Sequence, residues 1–186
     1  MKPVLRPPRV PWKVSPSVPH IGVTQPGLGS SAYVTFIGFF NTAAPETAAD
    51  SVVAVIPAPE DFIEAPDWRG ARHRLVQLEF SDCMQVRQTP AFADAEVLQE
   101  DAYDWSLVPS NMREDETVEA CIQRIHDLWL ATGACPDPGM YEVEGSPWLA
   151  SLGHPRDARH FVVLGHDDYL EVIASGWRWK PGQAVL

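Results

Sequence analysis

One stretch of this chain, about Glu114 to Thr132, carries the spacing of a long helix, and the other apolar runs are short and strand-like. Val118, Cys121, Ile122, Ile125, Leu128, Trp129 and Thr132 recur every three or four residues, which predicts one broad apolar face. Asn111 with Glu114, or a later acid, is placed to cap its start, and Glu114, Asp115 and Glu116 suit the positive end of the helix dipole. Gly133 is a natural C-cap and Pro136 blocks continuation. A chain with one long helix among short strands does not alternate β and α regularly. That argues against a doubly wound fold and for an antiparallel α+β domain.

The strand runs follow from β-branched and aromatic content. Residues 32–40 and 51–56 read as strands, and the unbroken Val52 to Ile56 suggests burial on both faces. Arg74 to Phe80 alternates, with Val76, Leu78 and Phe80 on one side and Gln77 and Glu79 on the other. Ser81 and Asp82 then turn or bulge the chain, and Met84 and Val86 continue a half-buried pattern to Pro90. Residues 92–99 suit a short helix. Met140 to Val143 reads as a short strand, followed by a small helix capped by Ser146 with Pro147 in its first position. Arg159 to Leu164 and Tyr169 to Ala174 form a C-terminal β-hairpin. The expected architecture is a single α+β domain, a mainly antiparallel twisted sheet packed against one long helix.

Residues 1–30 differ in composition. Seven prolines from Pro3 to Pro26 oppose helix and interrupt strand ladders, so this zone reads as an extended N-terminal arm before a globular domain over 31–186. The arm holds four Lys or Arg and no acid, whereas all 25 acids lie from Glu46 onward. Such an arm either frays or lies across an acidic body, its own or a neighbour's. Trp12 favours a docked arm.

The net charge of -11 disfavours nucleic acid and favours basic partners. Lys2, Arg6 and Arg9 imitate the start of a signal peptide, but prolines replace the apolar segment that would follow. No run approaches the length of a membrane span. Three widely spaced cysteines, Cys83, Cys121 and Cys135, suit reduced thiols, and a cytoplasmic location is expected.

No motif implies a cofactor. Gly22 to Ser31 is glycine-rich but lacks the lysine of a phosphate loop. Cys121 and His126 point to different sides of one helix and do not pair as nucleophile and base. A metal or hydrolytic centre would draw on His160, His166, Asp167 and Glu171, whose imidazoles and carboxylates suit zinc or iron. Against this, His166 and Asp167 sit on a turn, and Val162 and Leu164 share the face of His160. Trp177 and Trp179, two apart on one side of an extended segment, serve either core or edge packing or an interface or ligand pocket.

A binding function uses more of the chain. From Asp94 to Glu119 there are nine acids and one base, with Tyr103 and Trp105 among them. Glu100, Asp101, Tyr103, Asp104 and Trp105 therefore stand as contacts for a basic protein partner, in the manner of acidic inhibitors and immunity proteins. The plain alternative is a solvated acidic face. The other functional readings are a metal-assisted small-molecule enzyme using the His/Asp/Glu cluster, and a self-associating structural subunit reached by its arm.

Overall fold

The fold is that of a computed structural model, which describes residues 1–15, 22–24, 27, 30–41, 61–66, 69, 72–90, 100–153, 156–165 and 168–185. The strand expected over 51–56, the helix over 92–99, and His166 and Asp167 lie outside the described residues. In chain order the elements are β1 (Val4–Arg6), β2 (Trp12–Val14), β3 (Gly22–Thr24), β4 (Ala32–Phe40), β5 (His73–Ser81), β6 (Gln85–Pro90), α1 (Val118–Thr132), β7 (Met140–Glu144), α2 (Pro147–Ser151), β8 (Arg159–Leu164), β9 (Asp168–Ala174) and β10 (Gly176–Ala184). The class is α+β and the strand pairs are antiparallel.

The strands form two sheets. One runs β1-β7-β8-β9-β6; the other runs β10-β5-β4-β2, with β3 also on β4. Their inner faces meet in one core. Val34, Phe36, Val76, Leu78 and Phe80 come from the second sheet, and Met140, Phe161, Val163, Leu170 and Val172 from the first. Phe80 and Phe161 touch across the gap, with ring centroids 5.4 Å apart. Alternation explains the sorting, because side chains two apart on a strand share a face. The centre of β4 is buried on both faces, since Ile37 points outward and packs with Leu75, Phe62 and Val185. Gly38 stands where a Cβ would lie 2.6 Å from the Val76 side chain, so β4 and β5 pack there only because that side chain is missing.

Two strands pass from one sheet to the other at the same place. β5 continues through Asp82 into β6, and β9 continues through Ser175 into β10. Before the bend β5 pairs with β10, from Gly176 opposite Ser81; beyond it β6 pairs with β9, from Gln85 opposite Ile173. Asp82 takes a left-handed backbone, φ 48°. Ser175 closes the bend by donating its N–H to the Ser81 carbonyl (2.9 Å) and its hydroxyl to the Asp82 carboxylate (2.8 Å). Strands that switch sheets at such corners are a recognised way to fold one ribbon over a core.

The N-terminal segment is woven into both sheets over its described part. β1 pairs with β7, and β2 pairs with β4. Leu5, Val10, Trp12 and Val14 are buried, and Trp12 packs edge-on against Phe36 and Trp179. Two of its four cations meet acids of the same chain, Arg6 with Glu144 (2.6 Å) and Lys13 with Asp137 (3.0 Å).

Helix α1 starts later than Asn111 suggests. Its cap is Thr117, whose hydroxyl accepts the Ala120 N–H, and it ends as expected on Gly133 in the left-handed conformation. The surface facing the inner side of each sheet is the other sheet, so α1 is left at the periphery. Of its apolar face Cys121 and Trp129 are buried, Trp129 standing edge-on to Phe39. Val118, Ile122 and Leu130 remain exposed. No described helix is long and apolar enough to cross a membrane.

Candidate functional site

Two regions bring chemistry-bearing residues together. The first is on the outer face of the first sheet. The register sets Val162 opposite Glu171 and His160 opposite Ile173, which makes His160 and Glu171 diagonal neighbours on one face. Their side chains meet, Nε2 to Oε1 at 3.3 Å, at an alignment short of a hydrogen bond. On the other side of the ring, Nδ1 lies 2.8 Å from the Ser146 hydroxyl. Ser146 caps α2 and accepts the Leu149 N–H at 3.0 Å. The Ser146 hydroxyl therefore serves both the helix end and the imidazole. Trp148 stands perpendicular to the imidazole, centroids 5.2 Å apart. Arg87, opposite Glu171 on β6, lays its guanidinium 3.7 Å from the centre of the Trp148 ring.

The order serine, histidine, carboxylate is that of a nucleophilic triad. Its setting is that of a structural knot. His160 is 3% exposed and Ser146 5%, and the serine oxygen is occupied as a helix cap. The cluster ties α2 to β8 and β9. Of the four residues named for a metal or catalytic centre, His160 and Glu171 converge, and Ser146 joins them. Sequence alone identified Ser146 only as a cap, because its approach to His160 depends on tertiary packing. No three His, Cys, Asp or Glu side chains gather as for a metal ion among the described residues.

Trp177 and Trp179 lie on one face of β10 and pack against the inner core, both half-buried. Arg178, between them, points the other way and pairs with Glu79 at 2.6 Å. None of the three cysteines is in a disulfide, and all three are buried. Burial pushes the Cys83 thiol up to about 11 and the Cys135 thiol up to about 12, so neither ionises near neutrality.

The second region follows the chain from Glu100 into α1. Glu100–Ala102 is a short 3-10 turn. Asp104 exchanges backbone hydrogen bonds with the arm, at Pro3 and Leu5, and its carboxylate accepts the Ser106 N–H. Tyr103 and Trp105 are half-buried against a satellite cluster of Leu5, Val108, Tyr141, Val143 and Val162. Burial, reinforced by the nearby Glu171 charge, pushes the Tyr103 phenol up to about 12. Asp101 is exposed. The two aromatics thus hold this stretch down, and the large side chains that face solvent come after them, at Leu107, Met112, Val118, Ile122 and Leu130.

Arg124 fixes the shape of this surface. It reaches from α1 and donates to both oxygens of Glu116 (2.7 and 2.8 Å) and to the carbonyls of Pro109 (2.5 Å) and Asn111 (3.0 Å). The Arg124 hydrogen bond, with that of the Arg113 N–H, holds the Glu116 carboxyl down to about 2. Between this loop and α1 lies a cavity of about 420 Å³ lined by Val108, Pro109, Met112 and Leu128 together with Ser106, Asn111, Arg113 and Arg124.

Comparison with protein families, with characterised proteins and with solved structures gives no match.

Proposed function

We propose that this chain is a non-enzymatic acidic binding domain that neutralises or tethers a basic protein partner, in the manner of an inhibitor or immunity protein. One observation carries the reading: large apolar side chains remain exposed within the most acidic part of the sequence, with Met112 58% and Ile122 61% exposed. Apolar side chains collected on one surface mark interaction sites more often than chance exposure does. The charges around them set the partner's sign. Residues 106–132 carry five acids, Glu114, Asp115, Glu116, Glu119 and Asp127, against Arg113 and Arg124. Asp101 and Asp104 extend the field toward Glu100, with Tyr103 and Trp105 supporting the stretch from below. Acids at the rim speed encounter with a basic partner and apolar groups hold it.

The supporting experiment is crosslinking in the native source followed by mass spectrometry, with the wild-type chain and Ile122→Glu. The expected result is a partner of high isoelectric point joined through residues 100–130, lost with the variant. Partners that are acidic, or recovered equally by both chains, would refute the reading.

The enzyme alternative keeps one observation in its favour, the meeting of Ser146, His160 and Glu171. Their burial and the capping role of Ser146 speak for a structural part.

A further inference from the structure

Residues four apart stack on one side of a helix, so four rows of side chains run along α1. Cys121 and Trp129 belong to the row that faces the protein, with Ile125 half-buried between them. Arg124 and Leu128 belong to the row that faces the preceding loop. The other two rows face solvent. Val118, Ile122, His126 and Leu130 make one, and its three apolar members each expose more than half of their surface. Glu119, Gln123 and Asp127 make the other, directly beside it, and all three are exposed. Together they form an apolar ridge with an acidic flank, about 18 Å long from Val118 to Leu130.

The flank is not neutralised from within. Asp127 accepts from Gln123 (2.8 Å), and among the described residues no Lys or Arg pairs with it or with Glu119. Arg124, the one Lys or Arg on the helix, turns to the other side and is spent on Glu116 and the loop carbonyls. The helix is also held from below, by Trp129 edge-on to Phe39 and by that arginine, so a partner would meet a surface already ordered.

Backbone chemistry and charge together decide what fits this side. A helix has no open edge of N–H and C=O groups, so a strand cannot add to it and an occupant must arrive with its own backbone paired. A second helix does so, and its side chains pack as a ridge between those of α1. A second copy of α1 would bring the same two rows, with no Lys or Arg in either to answer Glu119 and Asp127. An anionic lipid surface would be repelled by the same acids.

We infer that the solvent side of α1 pairs with an amphipathic helix of the partner, whose apolar side chains interleave with Val118, Ile122 and Leu130 and whose Lys or Arg row meets Glu119 and Asp127. The inference rests on the binding function proposed above and names the kind of segment recognised.

The test uses the full chain and three synthetic peptides of about four helical turns. One has leucines at helical spacing along one side and lysines along the flanks, one is a scramble of the same residues that spreads the leucines around the helix, and one replaces every lysine of the first with glutamate. Binding is followed by titration and through the methyl signals of Val118, Ile122 and Leu130. The expected result is that the amphipathic basic peptide shifts those methyls, gains helicity and binds at least about tenfold more tightly than its scramble, and that the glutamate peptide does not bind. Glu119→Lys combined with Asp127→Lys, in a chain whose circular dichroism is unchanged, should weaken the basic peptide and strengthen the glutamate one. Equal binding of the amphipathic peptide and its scramble would overturn the helix pairing and leave the acidic surface standing. So would shifts confined to Met112 and Leu107. If neither basic peptide binds, the pairing is overturned, and the crosslinking experiment decides the binding function separately. The same methyl shifts appearing on concentrating the chain alone would overturn it in favour of a second copy.

Discussion

Replacing Trp12 with alanine measures whether the proline-rich beginning of the chain belongs to the fold. The indole has no exposed surface and packs edge-on against Phe36 and Trp179, with centroids 5.2 and 6.2 Å away. Its Nε1 has no acceptor among the described residues, so the substitution removes packing and no hydrogen bond. Removing a buried tryptophan costs about 3–5 kcal/mol in lost burial and cavity formation. Set against a total stability of about 5–15 kcal/mol, that is a large share. With a urea slope of about 2 kcal/mol per molar, the unfolding midpoint followed by far-ultraviolet circular dichroism should fall by roughly 2 M. Lys13→Ala is the neighbouring control. It breaks a partly exposed ion pair with Asp137, worth about 1 kcal/mol or less, and should move the midpoint by no more than about 0.5 M. If Trp12→Ala moved it no further than Lys13→Ala does, the N-terminal segment would be a loose appendage and its place in both sheets would be wrong.

Two further outcomes follow from the buried groups. Ser146→Ala removes the cap of α2 and leaves His160 Nδ1 without its partner, so thermal unfolding should show a loss of about 2 kcal/mol, cap and buried hydrogen bond together; a change below about 0.5 kcal/mol would mean that the knot does not hold α2. Cys83 and Cys135, buried and with thiols held near 11 and 12, should resist a thiol reagent at pH 8 in the native protein and react once urea unfolds it. Rapid native labelling of either, read by mass spectrometry, would contradict their burial.

Elements set by local chemistry were legible. β4 falls on Ala32–Phe40 and β8 on Arg159–Leu164, as their β-branched and aromatic runs indicate. The Ser146 cap, the Pro147 start and the Gly133 stop are where residue chemistry puts them. Elements that depend on distant partners were not legible. β1 and β2 are three residues each, set among prolines, and exist because Glu144 and Phe40 pair with them from far along the chain. Nor does α1 take the role its periodicity suggests. Seven residues share its apolar side, yet the inner faces of the sheets satisfy one another and leave Val118 and Ile122 exposed. The meeting of His160 with Glu171 needed the β8–β9 register, and that of His160 with Ser146 needed α2 to fold back over the sheet. No one-dimensional pattern contains either.

The shared bend at Asp82 and Ser175 has a mechanical consequence. The two halves of the core are continuous lengths of the same paired ribbon, creased once, so neither layer can slide over the other without tearing ladder hydrogen bonds on both sides of the crease. Amide protons of β5 and β9 should therefore exchange at the pace of whole-molecule opening.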